Sequence, residues 1–358
     1  MKIPGLVDVH VHLRVPGGDH KEDFISGSAA ALVGGFTQIM AMPNTQPPIH
    51  SLALWQTVQA QARQEGLCDI FLFAGTDAAH VDELKQLGQA APAIKLYLDQ
   101  TYTNTVLRDP LLLESIIELW PGDKVIAVHA EGDSLHTAIQ LADKYRRRMH
   151  ICHVSRKEDI EAIASAKQRG LSLTCEVTPH HLFLSQADAA RLGALGDMRP
   201  RLGDARDVQA LWAHINTTID CVASDHAPHT LAEKNGPEPP PGVPGLESSL
   251  PLMLTAVNEK RLSMQRLLEL MLINPRSIYG LPEQPETWVE IDPQARYSFP
   301  EYPLHTKCGW SPFSGMPMQG RILRVVLRGQ AVYHEGRIIS PKKIPRRKNE
   351  PNRTAQTI

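Results

Sequence analysis

Residues able to hold a metal or move a proton recur at the ends of short apolar runs in this chain. "DVHVHLR", residues 8–14, sets His10 and His12 two apart, with Arg14 two further on. Along a strand, residues i and i+2 share a face, so the two imidazoles and Arg14 are expected to point the same way. Later runs end similarly: "IKLYL" carries Lys95, "AVHAE" His129, "HICHVS" His153 and "ASDHAPHT" Asp225. An isolated His-x-His is more often a pair of ordinary strand histidines. Four imidazoles, a lysine and a carboxylate converging from separate strand ends outweigh that reading, because such groups are costly to bury without a partner or a metal. Nitrogen and oxygen donors suit Zn²⁺, with Mn²⁺ or Co²⁺ as substitutes. As an ammonium, Lys95 can only bind an anion or form a salt bridge. Carbamylated by CO₂, it becomes a carboxylate able to join two metals about 3.5–4 Å apart, a pair that activates water and polarises a carbonyl.

The elements that must position these groups follow a regular order. β-rich runs occur at 6–13, 37–43, 69–75, 93–98, 125–131, 150–155, 171–184 (a strand running into a loop) and 220–228. Helix-like stretches lie between them, such as 51–66, with Ser at its start and Gly at its end, and 156–170, acidic early and basic late. Eight such alternations predict an α/β fold, a (β/α)₈ TIM barrel of roughly 250 residues, whose active site belongs at the strand C-termini. An open doubly wound sheet is the competing architecture. Beyond Pro228 a Pro/Gly-rich stretch reads as a long ordered loop or lid. Helices are expected at 247–259 and 263–273, then short β pieces over 286–337. The predicted organisation is a barrel over 1–285, a small β-rich appendage over 286–340, formed mainly by the C-terminal segment, and a basic disordered tail or linker over 341–358.

Composition narrows the classes. With 358 residues, 42% hydrophobic, the chain has material for a large core, and a net charge of −2 gives no electrostatic case for nucleic acid. No apolar run reaches the ~18 residues of a membrane span. "MKIPGLVDVH" lacks an apolar signal region, so a cytoplasmic location is expected. Five scattered cysteines make no disulfide framework.

In this order, "DVHVHLR", "AMPNT", "IKLYL", "AVHAE", "HICHVS", "CEVTPHHLFL" and "ASDHAPHT", with "PGGDHKEDF" and "PPPGVPGLE", resemble the dihydroorotases of the amidohydrolase superfamily. The wording is most like the dihydroorotase domain of animal multifunctional pyrimidine-synthesis polypeptides. The resemblance implies a zinc enzyme of de novo pyrimidine (UMP) biosynthesis that reversibly cyclises N-carbamoyl-L-aspartate to L-dihydroorotate. It assigns His10, His12, carbamylated Lys95 and Asp225 to one zinc, and Lys95, His129 and His153 to the other. Asp225 would also carry the proton. Arg14, Asn44 and His229 would hold the substrate carboxylate, with Arg199 and Pro241 as further contacts. Thr101 and Tyr102 match a substrate-covering loop, whose aromatic residue is Phe in the animal relatives. Cys152 and Glu176 match residues associated with a third zinc. Strand alternation opposes this, since Cys152 should face away if His153 faces in, unless a bulge redirects it. His180 and His181 read as structural or supporting.

Two departures stand out. Val15 replaces the Glu that many relatives carry after the arginine, and the chain enters the barrel directly, without the N-terminal segment of many stand-alone relatives. The implied context is a homodimer or larger assembly, fused or adjacent to aspartate transcarbamoylase and carbamoyl-phosphate synthetase. A dihydropyrimidinase or allantoinase would share the metal residues but not Arg14, Asn44 and His229. A metal-free scaffold would be expected to have lost ligands, and all six positions are filled here.

Overall fold

The computed structural model describes residues 1–102 and 106–339; the expected tail over 341–358 and part of the substrate-covering loop lie outside the described residues. The chain opens with β1 (Lys2–Pro4), then runs through eight parallel strands: β2 (Leu6–Val11), β3 (Phe36–Ala41), β4 (Asp69–Leu72), β5 (Ala93–Tyr97), β6 (Val125–His129), β7 (Met149–Ile151), β8 (Leu173–Val177) and β9 (Cys221–Val222). They form two sheets in chain order, β2-β3-β4 and β5-β6-β7-β8-β9. Isolated parallel bridges, Val11 with His226 and Ala74 with Ile94, link segments of one sheet to the other. All residues of β2, β3, β5 and β6 are buried, as strands covered on both faces must be.

Helices return the chain between strands. The helix expected over 51–66 is Leu52–Glu65, with Ser51 accepting the Leu54 N–H at 3.3 Å and Gly66 at its end. The stretch 156–170 forms Lys157–Gln168, with Glu158 and Asp159 in its first turn. Among the described residues no helix is long and apolar enough to cross a membrane.

The strands are shorter than the apolar runs that encode them. The strand expected over 150–155 stops at Ile151, and that over 220–228 at Val222. The stretch 171–184 does not end in a loop: after Val177 the backbone turns into a short buried helix, Pro179–Phe183, capped by Thr178. Nor does the chain enter the parallel strands directly. Lys2–Pro4 pairs antiparallel with β10 (Trp288–Ser298), which pairs with β11 (Pro317–Leu327), followed by β12 (Gln330–His334) and β13 (Arg337–Ile338). The residue pattern missed this because three residues are too few to show periodicity.

The Pro/Gly-rich stretch after Pro228 is pinned from inside. The buried Lys234 ammonium donates to the carbonyls of Asp197 (3.2 Å), Pro240 (2.9 Å) and Gly242 (3.1 Å). Gly242 has φ +135°, and a Cβ there would lie 2.6 Å from the Ala227 carbonyl oxygen, so the loop demands glycine.

A buried carboxylate fastens residues 305–306 to the helix Leu246–Asn258. Glu247 accepts the N–H groups of His305 (2.9 Å) and Thr306 (3.0 Å). Burial raises its pKa from 4.5 to about 7, against the lowering effect of those N–H groups. A raised carboxyl pKa means the fold favours the protonated form. The associated stability is present below about pH 4.5 and lost as pH rises through about 7. Between about pH 5 and pH 8 the parent should therefore lose roughly 1–3 kcal/mol relative to Glu247→Gln. Urea unfolding of both proteins at the two pH values checks this; parallel pH slopes would refute it.

Candidate metal centre and anion pocket

Backbone conformation, as much as strand alternation, aims the candidate ligands. Asp8, His10 and His12 alternate with apolar neighbours from β2 onward, and Asp8 anchors the set. Its carboxylate accepts the His10 N–H at 3.0 Å and the Ser224 N–H at 3.1 Å, tying β2 to the segment that carries Asp225. Burial raises the Asp8 pKa to about 7. Asp225 is in the left-handed region (φ +44°), as are His153 (φ +37°) and Arg14 (φ +64°). Such conformations cost non-glycine residues roughly 1–3 kcal/mol each and gather at functional sites.

Asp225 Oδ1 stands 3.2 Å from His10 Nε2 and 3.1 Å from His12 Nε2. Burial would raise its pKa, but His10 and His12 hold it well below the usual carboxylate range. His12 Nδ1 donates to Asn44 Oδ1 at 2.8 Å, which turns the Nε2 lone pair toward Asp225, where a metal ion would take it. Burial lowers the His12 pKa to about 4. On the other side, His10 Nδ1 bonds to Glu176, which also accepts from His150 Nε2 (3.1 Å) and the His153 N–H (3.2 Å). Burial works against charge on His10, yet Glu176 and Asp225 raise its pKa to about 10.

His129 Nδ1 and His153 Nε2 face each other at 2.8 Å. Burial, reinforced by the Lys95 charge, lowers the His129 pKa to about 3, and burial together with His129 puts His153 well below the usual range. Both are neutral imidazoles with lone pairs to give. Among the described residues, His129 Nε2, His153 Nδ1, His180 Nε2 and the Lys95 ammonium have no hydrogen-bond partner, although Lys95 is only 2% exposed. His181, by contrast, is satisfied by the Thr178 hydroxyl (2.8 Å) and the Pro200 carbonyl (3.1 Å).

In this centre, among the described residues, two groups have the spacing of metal ligands, with donor atoms within 4.8 Å: His10, His12 and Asp225, and His10, Cys152 and Glu176. The second overturns the alternation argument against Cys152. That residue lies one past the end of β7, and the left-handed His153 beside it lets consecutive side chains face the same centre.

A cationic pocket adjoins the centre. Arg14 is not on the strand face it was expected to share with His12; β2 ends at Val11, and Arg14 reaches in from a tight turn. Gly17 (φ +85°) permits that turn, since a Cβ there would overlap the Gln46 carbonyl oxygen at 1.9 Å. The buried guanidinium donates through Nε to the Pro228 carbonyl at 3.2 Å, and its Nη2 lies 3.1 Å from His229 Nε2. Lys21 Nζ stands 3.2 Å from His229 Nδ1. An ammonium can only donate, so Nδ1 accepts and the ring proton sits on Nε2, which donates to the Pro241 carbonyl at 3.1 Å. Arg14 Nη2 therefore meets an N–H rather than a lone pair. Burial, then Arg14 and Lys21, keep His229 neutral. Two cations thus converge on one neutral imidazole, an arrangement suited to an anion that takes over the Arg14 and Lys21 donors.

Tyr102 covers this pocket, 47% exposed, with its ring 4.8 Å from that of His229 and its hydroxyl accepting from Lys21 at 3.0 Å. Lys21 also pairs with Glu233 at 2.8 Å. Thr101 is half-buried beside Tyr102. Arg199 is engaged elsewhere, donating to Asp197 at 2.5 Å and the Met198 carbonyl at 2.9 Å, and among the described residues it has no hydrogen bond to the centre. The sequence reading missed Asp8, Lys21, Glu233 and His150. Asp8 was findable, because it shares the parity of His10 and His12; Lys21 and Glu233 are far apart in sequence and meet only in the fold.

Known proteins resemble this chain closely. The Dihydro-orotase-like family model matches residues 1–143. Multifunctional protein CAD of Squalus acanthias is 46% identical over 342 residues, covering 95% of this chain and 15% of that protein. The dihydroorotase of Trichlorobacter lovleyi is 33% identical over 369 residues, covering 92% of this chain and 87% of that enzyme. The chain belongs to the dihydroorotase family. It spans only about a seventh of the multifunctional relatives, 15% of each. Among solved structures, the L-hydantoinase (dihydropyrimidinase) of Arthrobacter aurescens superposes with TM-score 0.90 at 26% identity, covering 95% of this chain and 87% of that one. The inactive dihydroorotase-like domain of a Chaetomium thermophilum CAD-like multifunctional protein does so with TM-score 0.81 at 25% identity, covering 97% and 98%. A dihydroorotase fold can thus lack activity, so the centre has to carry the argument for this family member.

Asn44 serves His12 directly. Asn44→Ala should lower metal affinity about 10–100-fold, as loss of a ligand's orienting partner does. Competition with a chelator measures this. Unchanged affinity with impaired substrate binding would make Asn44 a substrate contact only.

Proposed function

We propose that this chain is a zinc-dependent dihydroorotase that interconverts N-carbamoyl-L-aspartate and L-dihydroorotate, with ring closure as the biosynthetic direction. The observation that carries the reading is the cationic pocket of Arg14, His229 and Lys21 beside buried metal-ligand residues. The hydantoinase-like fold alone fits several cyclic amides; an anion pocket selects a ring bearing a carboxylate.

The residues fit two metals. A buried ammonium without a partner is costly, and so are unpartnered buried ring nitrogens. Carbamylation would turn Lys95 into a carboxylate serving both metals, one with His10, His12 and Asp225, the other with His129 and His153. Cys152 and Glu176, grouped with His10, would hold a third. When bound, the metals supply Lewis-acid polarisation of the carbonyl and an activated water.

The chain's own residues do the rest. Arg14, with Asn44 and His229, holds the ring carboxylate, while Tyr102, Thr101 and Pro241 wall the pocket; Arg199 would join on substrate binding. In ring closure Asp225 takes the proton from the ureido nitrogen as that nitrogen attacks the side-chain carboxyl carbon, and gives it to the departing water. In hydrolysis it takes the proton from the attacking water and returns it to the ring nitrogen.

The scaffold belongs to the same proposal. Residues 1–285 form a closed (β/α)₈ barrel, supported by the bridges at Val11 and Ala74, and 286–340 form an appendage that also takes in Lys2–Pro4. The chain works as part of, or beside, a multifunctional pyrimidine-synthesis polypeptide, as a homodimer or larger assembly.

Assay of dihydroorotate against dihydrouracil and hydantoin tests the activity; no turnover of dihydroorotate by zinc-loaded protein would refute it. Arg14→Ala should cost dihydroorotate about 100-fold more than dihydrouracil, and Arg14→Lys should remain impaired because it lacks the fork. Equal losses on both rings would make Arg14 structural.

Lys95→Ala should lose most bound metal together with the carbamate signal seen in the parent by ¹³C NMR after ¹³CO₂ exposure. Short carboxylic acids should restore part of the metal content. Retention of two metals in the variant would end the carbamate assignment.

A further inference from the structure

Strands β3 and β4 supply none of the proposed metal ligands, yet the loops that follow them bring two histidines onto one carboxylate. His50, just ahead of the helix Leu52–Glu65, puts Nδ1 2.9 Å from Asp77 Oδ2. His80, from the loop after β4, puts Nδ1 2.7 Å from Asp77 Oδ1. One donor atom from each of the three residues lies within 4.8 Å of the others. The two loops are held together independently of this contact. Gly75 N–H donates to the Ile49 carbonyl at 2.9 Å, and Leu52 N–H to Glu83 Oε2 at 2.7 Å. Gly75 also leaves room for the His50 ring, whose Cδ2 would lie 2.8 Å from a Cβ there.

We propose that His50, Asp77 and His80 form a divalent transition-metal site, zinc by preference, distinct from the centre around His10 and Asp225 and sharing no residue with it. Two imidazoles and a carboxylate are a donor set for Zn²⁺, whose bonds of about 2.0–2.2 Å place tetrahedral donors about 3.3 Å apart. On metal entry the two Nδ1 protons would move to Nε2 or leave, and the donors, now 2.7–2.9 Å apart, would spread by about half an ångström around the ion. Asp77 accepts the Ala79 N–H at 2.9 Å as well, which fixes the carboxylate in its turn. His50 is nearly enclosed, at 11% side-chain exposure, whereas His80 (35%) and Asp77 (45%) open to solvent. The site therefore has an inner anchor, an outer pair and an open side for water as the remaining ligand. Occupied, it would cross-link the loop carrying Asn44 to the loop after β4.

The test uses zinc itself and the holoprotein. After equilibrium dialysis against micromolar free Zn²⁺, the parent should hold one equivalent more than His80→Ala. Turnover of the variant should match the parent, since His80 is outside the proposed centre. A second measurement needs no variant: zinc should protect His80 of the parent from carbethoxylation several-fold, read by peptide mass spectrometry. Equal zinc uptake by parent and variant overturns the proposal, and so does His80 labelling that zinc leaves unchanged.

Discussion

The Lys95 ammonium is buried among imidazoles and has no hydrogen-bond partner among the described residues, which is the most costly single feature of the centre. A cation removed from water without compensation is worth several kcal/mol against folding. Its field, added to burial, keeps His129 neutral, so the neighbourhood becomes a set of lone pairs. Glu176 and Asp225 lie on either side of His10 and remain ionised. Such a cluster of carboxylates and lone pairs has the donor set of a divalent-metal site, as the proposed function uses it. The scaffold that bears this load is a set of parallel strands buried on both faces, with a large apolar core around them.

Outside that ring the electrostatics change character. Arg14 and Lys21 bring two cations to a neutral His229, and Glu233 pairs directly with Lys21. The inner cluster carries metal-ligating groups and the outer pocket two cations, so under the proposed function a carboxylate on one side of the substrate and a cyclic amide on the other would fix its orientation. Fold similarity to a hydantoinase does not convey this polarity; it lies in side chains from the turn at residues 14–18 and the segment 226–234.

Much of the centre was legible because periodicity is a physical property of strands. His10 and His12 stand out by their spacing once Lys95, His129, His153 and Asp225, at the ends of other apolar runs, give that spacing a context. Where the reading failed, the backbone had left regular conformation. Cys152 was set against its neighbour by alternation, but β7 ends before it and the positive φ of His153 reorients the pair. Arg14 was placed on a strand that had already ended, for the same reason. Positive φ in a non-glycine residue leaves no mark in the sequence, because tertiary contacts impose it.

The same limit explains the partners that were missed. Lys21 acts through Tyr102, His229 and Glu233, each more than eighty residues away. Nothing local distinguishes it from a surface lysine until the loops converge. Tyr102 shows how a single atom alters such a junction. Its ring carries a hydroxyl that accepts from Lys21, which a phenylalanine there would lack. The loop over the anion pocket is thereby tied to the cation beneath it. An anion entering the pocket would compete for the same ammonium donors, so its binding would be coupled through Lys21 to release of the Tyr102 hydroxyl.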